Sequence, residues 1–238
     1  MLRNRNYEGP VMTISQEIDE MKYRQKGETF DDKIKRIAKA LSDGDEHRFV
    51  LEDILGEMRF LPAGRVQSAI GSNRITTAYN CFVSGEIEDS MESIMQRASE
   101  AAETMRKGGG IGYDFSKLRP RGDHIKSLDS KSSGPISFMQ VFDSVCQTIA
   151  SSGHRRGAQM GVLRIDHPDV LDFVRAKRSN DKLTGFNISV GITDAFMEAL
   201  ENGTDYELFF NGEVRGTLSA QEVWDEIMSS TWDWGVLC

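Results

Sequence analysis

The chain of 238 residues is poor in cysteine and proline, with three of the first and five of the second. Cys81, Cys146 and Cys238 are odd in number and far apart, and they show neither CxxC nor Cys/His metal spacing. A disulfide framework or a zinc site is therefore not expected, no metal site is assigned, and a reducing compartment fits better. No uninterrupted apolar run approaches the ~18 residues of a membrane helix, and MLRNRNYEGP has no apolar segment behind its charges, so the chain reads as untargeted and cytoplasmic, with no membrane partner. A basic excess is also missing: the formal net charge is -8, which argues against a general nucleic-acid binder. Nor is there a GxxxxGK[ST] phosphate loop, and GxGxxG read from Gly108 fails at Tyr113.

What is present is unevenly placed. Between Met105 and Arg164 ten Lys/Arg stand against four Asp/Glu, a local +6 inside an acidic chain. Such a segment suits a compact anion such as a nucleotide phosphate, or equally a solvated charged face. Residues 1–60 read as helices, with Thr29 as an N-cap, Asp31 and Asp32 in the first turn, Phe30, Ile34, Ile37, Ala38 and Leu41 at helical spacing, and Gly44 as a stop. Residues 59–78 break that period with Pro62, Gly64 and Gly71 and read as an ordered connection.

Beyond Ala78, strands are expected at 79–84, 110–115, 159–165 and 187–192. Helices alternate with them, opening at Asp89 and Ser90, at Pro135, at Asp166 and Pro168, and at Thr193. That rhythm implies a parallel sheet in an α/β fold. Tyr206–Phe210, the dipeptide Asn211-Gly212 and Glu213–Leu218 read as a hairpin, and Ser219 with Glu222 as the start of one more helix. The final WGVLC reads as a strand that begins and stops, which leads us to expect a fragment of a larger fold.

Three places could carry chemistry. Lys107–Pro120 joins a helix end to a strand through consecutive glycines and is followed by Arg119, Arg121 and Lys126; it is either a cradle for an anion or a helix C-cap and tight turn. Ser151–Gln159 combines small residues with Arg155, Arg156 and Gln159, which can present a guanidinium or amide to a nucleotide, although such loops are often plain surface turns and His154 reads as solvated. Cys81 lies in a strand and is either an inert buried thiol or a redox thiol that needs a partner; Cys146 reads as core.

Taken together, RFLPAGR (59–65), YNCFVSGEIEDS (79–90), GGGIGYDFSKLRPRGD (108–123), RRGAQMGVLRIDHPD (155–169) and FNISVGITDAFM (186–197) resemble the catalytic subunit of ribonucleotide reductase, most closely the class II, adenosylcobalamin-dependent enzymes. The resemblance implies an N-terminal helical region over 1–60 and, over 61–238, the first half of a ten-stranded α/β barrel, with the fifth strand at 235–237. It implies that Cys81 is one of two reducing thiols, that Asp89, Ser90, Arg119, Lys126, Arg155, Arg156 and Gln159 contact a deoxynucleotide or ATP effector, and that Gly108–Lys117 and Ser151–Gln159 are the two specificity loops. Ala63, Gly64, Arg65, Asn80, Gly109 and Gly110 are the implied contacts for a ribonucleotide substrate, although PAGRVQSA stands where relatives are rich in Ser/Thr. The remaining catalytic residues would lie in a C-terminal half, so the chain alone is expected to be inactive, a homodimer is the expected assembly, and Cys238 suggests a split or intein-interrupted gene. A class I large subunit and a non-catalytic nucleotide-binding regulatory module are the alternatives.

Overall fold

The structure is a computed structural model that describes residues 6–150, 158–178 and 183–234. Its contacts divide the chain into two compact units, residues 1–80 and 81–238.

The first unit is built from α1 (Thr13–Tyr23), α2 (Phe30–Leu41), α3 (Asp45–Gly56) and the short α4 (Gly64–Ala69). Thr29 caps α2 in a full capping box, its side chain accepting from the Asp32 N–H while the Asp32 carboxylate accepts from the Thr29 N–H. Phe30, Ile34 and Ile37 then face Leu55 of α3 in a small core. The helix α4 falls inside the stretch expected to be an ordered connection rather than an element. Its support is tertiary: Arg36 of α2 donates to the carbonyls of Gln67 (3.0 Å) and Ile70, and the Gln67 side chain donates to the Pro62 carbonyl (2.8 Å). None of these bonds is visible in local periodicity.

Helix α1 is oriented against the usual rule. It buries Asp19, whose carboxylate accepts from the buried Lys33 ammonium and from Arg24 Nε (2.6 Å), while Ile14, Ile18 and Met21 are exposed. The buried charges, not the apolar residues, fix which side of α1 faces its unit.

In the second unit, β1 (Cys81–Val83), β2 (Gly110–Asp114), β5 (Gln159–Arg164) and β6 (Phe186–Gly191) form an all-parallel sheet in the order β1-β2-β5-β6. These match the four expected strands to within two residues at either end. The helices α5 (Met91–Arg106), α6 (Pro135–Ala150), α7 (Val170–Arg175) and α8 (Asp194–Asn202) alternate with them. Between β2 and α6 lies a two-stranded ribbon, β3 (His124–Ile125) with β4 (Ser130–Lys131), which sequence reading did not anticipate. The expected hairpin is β7 (Asp205–Phe210) with β8 (Glu213–Ser219), and α9 (Ala220–Trp234) follows. Both turn residues, Asn211 (φ 51°) and Gly212 (φ 78°), have the positive φ that a tight hairpin turn demands. The expected fifth strand at 235–237 lies outside the described residues.

The core of this unit is aromatic. Tyr113 meets Phe142 edge-on at 4.8 Å between centroids, and Phe115 and Phe186 complete the cluster. Gly161 has no side chain because Met139 and Phe115 fill the space above β5.

The buried charge pair of the first unit generates a test. Asp19→Ala leaves the buried Lys33 ammonium without a carboxylate, facing the Gln67 side chain at 3.2 Å and the Phe30 ring at 4.5 Å, and is expected to cost about 3–5 kcal/mol in chemical unfolding. Asp19→Leu combined with Lys33→Met, which removes both charges, is expected to recover most of that loss. A single-variant loss under about 1 kcal/mol would mean that the pair does not orient α1.

Candidate nucleotide site

Parallel pairing sorts the candidate residues to two ends of one sheet. Cys81, Gly110 and Gln159 begin β1, β2 and β5 at the amino edge, and Cys81 is in register with Gly110. Asp89, Arg119 and His167 follow the same three strands at the carboxyl edge, where α/β sheets bind ligands.

At the amino edge, Cys81 is an exposed free thiol on the edge strand. The neighbouring glycines have separate reasons. Gly108, with φ 87°, is the left-handed residue ending α5 in a Schellman arrangement: its N–H donates to the Met105 carbonyl (2.8 Å) and that of Gly109 to Thr104 (3.0 Å). A Cβ on Gly109 would stand 2.7 Å from the Phe82 ring. The helix-cap reading therefore accounts for Gly108, and close packing for Gly109. Gly110 adds no side chain beside Cys81 in the ladder, which leaves the thiol uncovered from that strand. The stretch expected to be one specificity loop, 108–117, is divided by β2, because Ile111 and Tyr113 are drawn into the core.

Gln159, expected to present its amide to an effector, is held inside the unit. It is 2% exposed, with its Oε1 accepting from the Tyr113 hydroxyl (2.8 Å) and its Nε2 donating to the Phe142 carbonyl (3.2 Å). A buried amide must satisfy both ends, and here both are spent inside the core. Cys146 is likewise core, and burial, with the Asp143 carboxylate second, pushes its thiol pKa up. Arg155, Arg156, His154 and Cys238 lie outside the described residues. Among the described residues, no group of three or more His, Cys, Asp or Glu could hold a metal ion.

At the carboxyl edge, Ser90 is the N-cap of α5, accepting from the Ser93 N–H (3.2 Å). Asp89, one residue earlier, is therefore free to turn its carboxylate to Arg119: the Arg119 Nε donates to Oδ2 at 2.7 Å and the Arg119 N–H to Oδ1 at 3.3 Å. The two are partly buried, so water still screens the pair and its contribution is on the order of 1 kcal/mol. Lys126 is exposed in the turn of the β3–β4 ribbon and makes no ion pair with a described residue. Ala63, the N-cap of α4, with Gly64 and Arg65 in its first turn, and exposed Asn80 belong to the first unit.

Sequence reading missed His167 and Asp169, taking Asp166 and Pro168 only as a helix start. His167 is 2% exposed; its Nδ1 accepts from the Asp169 N–H (3.0 Å) and its Nε2 lies 2.9 Å from the Leu118 carbonyl. The Asp169 carboxylate caps no helix N–H and instead accepts from the Arg121 N–H at 2.8 Å. Burial holds the His167 pKa below its ordinary value, which favours the neutral ring. The available signal was a polar run, DHPD, directly after an apolar strand.

Comparison with known proteins identifies the family. Residues 79–237 match the model of the ribonucleotide reductase barrel domain. A vitamin B12-dependent ribonucleoside-diphosphate reductase of Mycobacterium tuberculosis is 42% identical over 177 residues, 73% of this chain and 25% of its own length. A protein of the same name from Thermoplasma acidophilum is 37% identical over 76% of this chain and 24% of its own. The alpha subunit of a ribonucleoside-diphosphate reductase of Bacillus subtilis is 25% identical over 85% of this chain and 20% of its own. The chain thus spans about a quarter of the length of the relatives it matches. With the matched model covering the whole described sheet, from the thiol on β1 to the last helix, the chain belongs to the ribonucleotide reductase family.

Proposed function

We propose that this chain supplies the front portion of the catalytic chain of a cobalamin-dependent ribonucleotide reductase, carrying one reducing thiol and an effector site, within a ten-stranded barrel completed by a C-terminal half. The observation that carries the proposal is the exposed Cys81 thiol on the edge strand of the matched barrel domain, beside a glycine in register. Cobalamin dependence is carried in the names of the relatives from M. tuberculosis and T. acidophilum. Nothing among the described side chains marks a seat for that cofactor, so it enters the proposal through those relatives alone.

The chemistry assigned to Cys81 follows from electron count. Replacing the 2'-hydroxyl of a ribonucleotide by hydrogen consumes two electrons, and two thiols becoming one disulfide release two electrons and two protons. Cys146 is buried in the core with a raised pKa, which makes it a poor candidate for the second thiol. That partner is assigned to the C-terminal half.

At the opposite edge, Asp89 would take the hydroxyls of an effector ribose and Arg119 its phosphates, with Lys126 as an additional cation. Arg119 has five N–H donors and commits one side-chain donor to Asp89, so it can bind phosphate without abandoning the carboxylate. Arg155 and Arg156 would carry effector identity toward the substrate, and Ala63, Gly64, Arg65, Asn80, Gly109 and Gly110 would contact that substrate. Gln159 acts within this reading as a buried brace at the start of β5 rather than as a direct contact. A homodimer remains the proposed assembly.

Reconstitution with the complementary C-terminal polypeptide and adenosylcobalamin is expected to restore ribonucleotide reduction; reduction obtained only with a diiron partner subunit would move the chain to class I. In that system Cys81→Ser is expected to abolish turnover with a dithiol reductant, and sustained deoxynucleotide production would remove the reducing role. Asp89→Asn is expected to weaken deoxynucleoside triphosphate binding by about tenfold, given the usual strength of hydrogen bonds to charged groups, without lowering basal reduction. An unchanged effector response would shift the site elsewhere.

A further inference from the structure

We propose that His167 is a positioning residue for the anion site at the carboxyl edge of the sheet: by holding the Leu118 carbonyl it presents Arg119 to Asp89. The inference rests on the reading of Asp89 and Arg119 as a nucleotide site and adds to it a residue that does not touch the ligand.

The geometry begins with a fixed tautomer. The Asp169 N–H can only donate, so His167 Nδ1 accepts from it, and the ring proton sits on Nε2, aimed at the Leu118 carbonyl 2.9 Å away. Neither ring nitrogen has an alternative in water, because the residue is buried. The Phe210 ring stands edge-on to the imidazole at 6.0 Å between centroids and limits its tilt. Leu118 is itself 1% exposed, so its carbonyl marks a fixed point in the chain, one residue before Arg119.

The same turn grips the segment a second time. The Asp169 carboxylate accepts from the Arg121 N–H at 2.8 Å, so residues 118 and 121 are both tied to the turn that follows β5, with Arg119 between them. Gly134, at φ 81°, makes room for this grip: a Cβ there would stand 2.7 Å from the Asp169 carboxylate and 2.9 Å from Arg121. From the other side, the Ser132 hydroxyl donates to the Arg119 carbonyl at 3.5 Å. With its backbone held in this way, Arg119 can direct both its N–H and its guanidinium at the two oxygens of Asp89. A cation held in advance binds an anion without the cost of ordering its own segment. His167 is thus linked to ligand affinity through one backbone carbonyl.

Titration calorimetry of dATP into the 238-residue chain and three variants tests the assignment. His167→Gln sets an amide N–H where Nε2 stands and keeps the bond to Leu118. His167→Asn sets a carbonyl where Nδ1 stands, keeps the Asp169 end and loses the Leu118 end. Both forfeit one hydrogen bond and are expected to shift Tm alike, so a purely structural residue would not distinguish them. His167→Asn is expected to weaken dATP binding about five- to tenfold, the range of one buried hydrogen bond, and His167→Gln to stay within about twofold. Equal dATP affinities for the two variants overturn the proposal. Arg119→Ala separates the layers: if it weakens dATP while the Gln and Asn variants match, the site stands and His167 is a packing residue. If Arg119→Ala leaves affinity unchanged, or the unsubstituted chain takes up no dATP, the anion site is wrong and this inference falls with it.

Discussion

The pairing of β2 between β1 and β5 is the constraint on which the second unit depends. It is parallel on both sides, so whatever begins these strands gathers at one edge and whatever follows them gathers at the other. Cys81 and Gly110 become neighbours by register, and Asp89, Arg119 and His167 become neighbours because their strands end together. A slip of one residue in β2 would turn Ile111 and Tyr113 out of the core and separate both groups at once. The buried Gln159 amide resists that slip, since it joins the Tyr113 hydroxyl of β2 to the Phe142 carbonyl of α6 from the first position of β5.

Much of this order was legible in the sequence because it is local. Thr29, Ser90 and Thr193 each cap the helix they precede, and Asn211-Gly212 turns the hairpin as its conformational freedom allows. The four parallel strands were legible because short apolar segments alternate with capped helices. What escaped is non-local. The helix α4 depends on Arg36 from α2, the β3–β4 ribbon has only two residues in each strand, and the His167 and Asp169 contacts reach back some 48 residues. Gln159 illustrates the same limit: its partners across the sheet, the Tyr113 hydroxyl and the Phe142 carbonyl, cannot be read from the basic loop beside it.

The two units use charge in opposite ways. At the carboxyl edge, Asp89 and Arg119 meet where water still reaches them, so their attraction is small, as the proposed effector site requires. In the first unit, Asp19 and Lys33 meet away from water, where separating them is costly although forming them gained little. The first arrangement suits a site that must open and close, the second a scaffold that must not. Membership of the family is carried by the second unit, since the matched model begins at residue 79.

Helix α1 carries a consequence of its own. Sorting by hydrophobicity would bury Ile14, Ile18 and Met21 and leave Asp19 in solvent, yet the opposite is observed. The helix is in effect pinned through its charged side like a clasp worn inside out, and its greasy ridge is the part that solvent meets. Additives should therefore act unevenly on this segment: salt screens a buried pair poorly and should leave its seat in place, whereas mild detergent should coat its outer surface.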